Sequence, residues 1–286
     1  MIRIANTSLS AELNPQGGEL WSLWDAAGRA LMTDADPAFW TGHAPLLFPI
    51  VGALNGVYRL DGQEYSLPKH GFARRRSFEL VEHAPDCARF RLVDDAETRA
   101  AYPFAFALDI AYALDGATLS IEATASNRDD RDMPVSFGFH PAFAWPLPFG
   151  GTKESHCIRF EKDEPAPLRQ IEGDLISPEP RPTPVEGNMF GLRDDLFTAD
   201  ALIWDQIQSR SLRYGADEGP WLEIAFPDTS MLGIWTKPGA RYVCIEPWHG
   251  IADPVGFSGE IWDKPGIERL VPGETRTFAM RVTLRD

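Results

Sequence analysis

Apolar and polar residues alternate in short runs along most of the chain, and turn-forming residues separate the runs. That period-2 pattern predicts strands rather than helices. Residues 2–4 and 9–13 flank the polar pair Asn6-Thr7 as in a first hairpin, and 18–24 reads as a strand closed by an Asp-Ala-Ala-Gly turn. Residues 57–65 predict a hairpin about Asp61-Gly62, a dipeptide that accepts the positive φ angles of a two-residue turn. Further strands are expected at 78–81, 88–93, 106–114 and, past Asp115-Gly116, 117–127. Late strands are expected at 222–226, 231–236, 242–246 and 275–284.

Helices have little room, because 24 prolines and 24 glycines are spread along the whole length. Two short ones are predicted: 36–40, and 94–101 with Asp94 as cap and Glu97 reaching back. The stretch 161–188, rich in Pro, Glu and Gly, reads as a long surface excursion, since strand-like sequence resumes after it. No repeat or heptad pattern is present. Many short strands with turns between them predict an all-β sandwich or barrel, and their number favours a large two-sheet β-sandwich with few short helices. Large sandwiches often run to this length as one domain, here 1–286.

Composition narrows the class. Of the 286 residues, 44% are apolar, enough for a sizeable core. Lys and Arg total 27 against 42 Asp and Glu, a net charge of −15. Such a balance argues against nucleic-acid or membrane-surface partners, while leaving room for local arginines to grip an anion. Three widely spaced cysteines make no disulfide or zinc pattern. With no basic-apolar leader at the start, the expected location is the cytoplasm.

Candidate chemistry lies in three loops. His70 stands in Lys69-His70-Gly71-Phe72-Ala73-Arg74, His140 in Gly138-Phe139-His140-Pro141, and His249 in Glu246-Pro247-Trp248-His249-Gly250. Each has Gly or Pro beside it and aromatics close by, the texture of ligand-binding loops. Singly, each histidine reads more readily as a half-buried structural residue; the three together favour a site. His83 and His156 read as ordinary surface or edge residues. Glu246 ends an apolar strand, where partial burial raises proton affinity and suits a general base; the plainer reading pairs it with Arg241. Alternation sends Arg74 and Arg76 to one face of a strand and Arg75 to the other. Trp248 offers a flat apolar surface to a sugar ring. No nucleotide-binding glycine motif, nucleophile elbow or HExxH is present, and the His and acidic spacings support no particular metal.

These motifs resemble the aldose 1-epimerase (galactose mutarotase-like) family, within it a LacX-like branch. The resemblance rests on Pro49-Ile50-Val51-Gly52 with Asn55, the His70 and His140 motifs, Asp200-Ala201-Leu202-Ile203-Trp204-Asp205, Ser209-Arg210-Ser211, and residues 232–240 leading into Cys244-Ile245-Glu246-Pro247-Trp248-His249-Gly250. It implies a large antiparallel β-sandwich with a sugar cleft, and a cofactor-independent isomerase that interconverts the anomers of a hexose or hexose phosphate. It further implies Glu246 as base, His140 as acid, and His70 as a sugar-holding residue. A hydroxyl-binding aspartate corresponds to Asp200 or Asp205. Asn55, Arg74, Trp248 and His249 complete the expected binding set. Galactose-specific members carry Asn-Arg where this chain has Asn55-Gly56, with Arg74 as candidate replacement. A non-catalytic sugar sensor on the same fold is the alternative.

Overall fold

A computed structural model describes residues 1–286. Two large sheets stack face to face. The first has nine strands, in the order Met189–Gly191, His156–Phe160, Ser211–Ala216, Trp221–Ala225, Thr275–Arg285, Thr118–Asn127, Phe106–Asp115, Cys87–Val93 and Glu79–His83. The second has eight: Leu175–Arg181, Leu168–Glu172, Leu202–Trp204, Met231–Trp235, Tyr242–His249, Phe137–Phe139 and Leu46–Leu47, with Ala142–Ala144 also on Tyr242–His249. Their ladders are antiparallel.

The alternation expected from sequence is what closes the sandwich. Every second residue of Thr118–Asn127 is buried, and a cluster of 63 buried apolar residues fills the space between the sheets. Aromatic pairs cross it. Phe137 stacks on Phe278 with centroids 5.3 Å apart, and Trp204 meets Phe160 edge-on at 5.6 Å. The Tyr214 hydroxyl donates to the Ala144 carbonyl at 2.6 Å, so one buried polar group ties sheet to sheet. The Asp61-Gly62 hairpin forms as expected, both residues at positive φ.

Several expectations are corrected. Residues 94–101 do form a helix, Ala96–Ala101, but its cap is Asp95, and Thr98 rather than Glu97 reaches back. Residues 36–40 make only a hydrogen-bonded turn. Arg74 and Arg75 lie in a 3₁₀ turn, Ala73–Arg75, so strand alternation does not apply to them. The stretch 161–188 is more than a surface excursion. It contains the hairpin Leu168–Glu172 and Leu175–Arg181, which extends the second sheet. Pro178 and Pro180 are tolerated there because the outer strand is an edge, where a missing N–H leaves no ladder bond unmade. Pro247 does not end its strand either. Tyr242–His249 runs through it, with Pro247 standing opposite Leu232 in the ladder to Met231–Trp235. His156 is buried rather than superficial: its Nε2 accepts the Leu147 N–H at 3.0 Å, and its Nδ1 lies 2.8 Å from the Thr152 carbonyl. His83 is exposed, as expected. No helix is long and apolar enough to cross a membrane, and the three cysteines are free thiols.

Candidate functional site

Strand Tyr242–His249 divides its side chains between two environments. Val243 and Ile245 enter the sandwich core, whereas Tyr242, Cys244, Glu246 and Trp248 face the other way. On that outer face a cleft of about 950 Å³ opens, floored by the second sheet and walled by loops and the Leu168–Arg181 hairpin. Glu246 is set at its floor, only 2% exposed.

His140 meets Glu246 across the break between the strands Phe137–Phe139 and Ala142–Ala144. Its Nε2 lies 3.1 Å from Glu246 Oε2. That oxygen has no aligned donor, so the two groups touch without a fully formed hydrogen bond. Trp40 stacks over the His140 ring at 5.1 Å and Trp235 meets it edge-on at 6.1 Å. This aromatic wall excludes water, and its effect on proton affinity is large. Burial, followed by the charge of Asp200, raises Glu246 well above the usual carboxylate range. Burial, opposed by a hydrogen bond to its own carbonyl and reinforced by the smaller effects of Arg74 and Lys69, lowers His140 to about 3. Both directions favour the uncharged carboxyl and the neutral imidazole. Arg241, the partner in the plainer reading of Glu246, instead pairs with Asp34.

His70 lies beside this pair, its ring 6.1 Å from that of His140. Its Nδ1 accepts the Gly52 N–H at 3.1 Å, so the ring proton resides on Nε2. Burial, with the neighbouring cationic side chains, keeps the ring neutral. Arg74 is half-buried; it donates to the Lys69 carbonyl and forms no ion pair. Asp200 lines the opposite wall at a positive φ of 72°, while Asp205 is occupied by Arg169 at 2.7 Å.

Trp248 forms part of the floor, its indole resting on Gly233 and Gly138. A Cβ at those glycines would lie 2.5 and 2.6 Å from the indole, so neither position admits a side chain while the ring lies flat.

The cleft therefore gathers His70, Arg74, His140, Asp200, Glu246 and Trp248. It does not include Asn55 or His249. The Asn55 backbone N–H and side-chain amide bond Asp253 and the Phe257 carbonyl. His249 pairs with Glu268 at 3.1 Å and packs on Phe278. Strand geometry accounts for His249: three residues from Glu246, it must point to the opposite face. Missed from sequence were Trp40, Gln170, Asp174 and Lys237. Lys69, noted only as part of the His70 motif, pairs with Asp174 at 2.5 Å across the rim. His140, Cys244 and Glu246 bring three potential metal-ligand atoms within 4.8 Å of one another. Only His140 and Glu246 of these reach the cleft, and Cys244 is held as a thiol by burial and by Glu246.

The aldose 1-epimerase family profile matches residues 1–267. Protein LacX of Lactococcus lactis subsp. lactis is 30% identical over 296 residues, covering 99% of both chains. Among solved structures, a galactose mutarotase related enzyme from Lactobacillus acidophilus is 31% identical, with a TM-score of 0.90, over 99% of this chain and 97% of that one. A galactose mutarotase-like protein from Lactobacillus casei has a TM-score of 0.92 at 28% identity over the whole of both chains. The chain belongs to the aldose 1-epimerase family, in its LacX-like branch.

Proposed function

We propose that this protein is a mutarotase that interconverts the α and β anomers of a hexose or hexose phosphate, with Glu246 and His140 as its acid–base pair. The observation that carries the reading is the 3.1 Å approach of these two buried groups at the floor of the cleft. Anomer exchange requires a base at the anomeric hydroxyl, an acid at the ring oxygen, and no change of oxidation state. Transfer of the Glu246 carboxyl proton to His140 yields a carboxylate and an imidazolium, the working forms. Glu246 then removes the proton of the anomeric hydroxyl as His140 protonates the ring oxygen, and the C1–O5 bond breaks to give the open aldehyde. Rotation about C1–C2 presents the other carbonyl face. Closure returns the proton from O5 to His140 and from Glu246 to the new hydroxyl, restoring the starting count.

The remaining residues suit sugar binding. Trp248, Trp40 and Trp235 offer flat apolar faces to the C–H side of a pyranose. The Nε2–H of His70 and the Asp200 carboxylate supply a hydroxyl donor and acceptor. Arg74, unpaired by any carboxylate, supports an anionic substituent on the sugar. Saturation-transfer NMR on glucose, galactose and glucose 6-phosphate tests the reading. The protein is expected to accelerate exchange of at least one of them. Binding of a sugar with no acceleration would mark a sensor and overturn it.

A further inference from the structure

Asp253 lies beneath the floor of the cleft and has no part in the acid–base step. Its carboxylate and the Lys264 ammonium are 1% and 0% exposed and meet at 2.8 Å. Lys264 also donates to the Ile251 carbonyl at 2.7 Å. The other carboxylate oxygen accepts the Asn55 N–H at 2.8 Å. The backbone of Asp253 donates to Ala53 O and accepts from Ile176 N–H, both at 2.9 Å. One residue thus ties together the loop 52–55, the segment 251–253 and the strand Leu175–Arg181. Each contributes a cleft-lining residue: Gly52, Ala252 and Ile176.

From Gly52 the tie reaches His70. The Gly52 N–H donates to Nδ1, and its carbonyl accepts the His70 N–H at 2.8 Å. The fit is close, since a Cβ on Gly52 would lie 2.3 Å from the Ala252 nitrogen. His70 itself sits at φ 67°, a conformation that histidine holds only where its surroundings impose it.

We propose that Asp253, clamped by Lys264, is a positioning residue. Through the loop 52–55 it holds the Gly52 N–H on His70 Nδ1, and so keeps His70 an Nε2–H donor toward the sugar. The proposal rests on the cleft's being a sugar site. A neutral imidazole has one donor, and the bond at one nitrogen decides which nitrogen carries it. A carboxylate gripping a backbone N–H makes a stronger and shorter tie than a neutral acceptor. A buried ion pair adds little net stability over an apolar pair of similar volume, so the value of this one lies in what it places.

Two variants test this. Asp253→Leu with Lys264→Met removes both charges and strands neither. Asn55→Pro removes the gripped N–H together with the side-chain amide that donates to the Phe257 carbonyl, at an exposed turn whose next residue, Gly56, has φ 86°, the angle that follows a turn proline; Asn55→Ala, which loses that amide alone and is expected to keep the single Nε2–H tautomer, is its control. Two-bond ¹H–¹⁵N spectra of His70 are recorded on the sugar-free proteins, alongside KM and kcat for anomer exchange. Both variants are expected to turn a single Nε2–H tautomer into a mixture. KM should rise about tenfold with kcat within about twofold. An unchanged His70 spectrum in folded Asn55→Pro overturns the proposal, even where the double variant fails to fold. A changed spectrum in a protein whose wild type accelerates no sugar's exchange upholds the clamp on His70 and sinks the mutarotase reading instead.

Discussion

Replacing Glu246 with Gln separates chemistry from architecture at this site. The two side chains match in shape, and a glutamine amide can donate to His140 Nε2 across the same 3.1 Å. Lost is the carboxylate assigned to take the anomeric proton. General base catalysis is worth about 10²–10⁴-fold, or about 3–5 kcal/mol of barrier, and kcat for anomer exchange is expected to fall by that factor. Stability should move the other way. Burial raises the folded Glu246 carboxyl above its unfolded value. Its contribution to stability is therefore full below the unfolded pKa and lost as pH rises through the folded one. Glutamine has no proton to lose, so at pH 8 the variant should gain about 1 kcal/mol, or about 2 °C in melting temperature for a chain of this length. Saturation-transfer NMR and thermal unfolding on the same preparation check both. Full activity in Glu246→Gln would refute the assignment of the base. A lowered melting temperature would refute the claim that the carboxyl sits there at a cost to the fold.

Other outcomes follow from the same geometry. Burial lowers the proton affinity of His43, His70, His140 and His156. The stability they supply as neutral rings is complete above about pH 6.5 and lost as pH falls through their folded values. The melting temperature should drop between pH 7 and 5, and drop less in His156→Gln, where no catalytic group is touched. Lys264→Met strands a buried carboxylate and should lose about 3–5 kcal/mol in urea unfolding, most of it recovered when Asp253→Leu is added. Gly233→Ala drives a methyl into the Trp248 indole and tilts it into the cleft. Sugar affinity by calorimetry should fall about tenfold, with about 1–3 kcal/mol of overpacking; unchanged affinity would show that the indole is not the floor on which the sugar rests.

The sandwich was legible because strands such as 118–127, and 108–115 within the longer strand, alternate between buried and accessible positions, and alternation is a local property. Glu246 was legible for a related reason: one carboxylate in an otherwise apolar strand has to be buried. The hairpin of 168–181 was not. Its prolines and glutamates resemble a loop, and only its edge position makes them acceptable in a sheet. Trp40, Gln170 and Asp174 reach the cleft through turns and sheet pairings that bring together residues over a hundred positions apart, information absent from any short window. His249 could have been set aside from the sequence, since the strand period that aims Glu246 and Trp248 at the cleft aims His249 away from it.

The approach of Glu246 to His140 also limits what such a catalyst can decide. On the proposed chemistry the pair starts and ends each turnover with the same single proton, and the same two groups serve both directions of ring opening and closure. Nothing in that exchange distinguishes the α face from the β face of the aldehyde, so the pair gives the reaction no arrow. The anomer ratio in solution remains the one set by the sugar. Any preference for one anomer must arise away from the pair, for instance at the wall and rim that carry Asp200 and the Lys69–Asp174 pair, and tighter binding of one anomer has to be matched by slower turnover from it, in the proportion that the free equilibrium fixes.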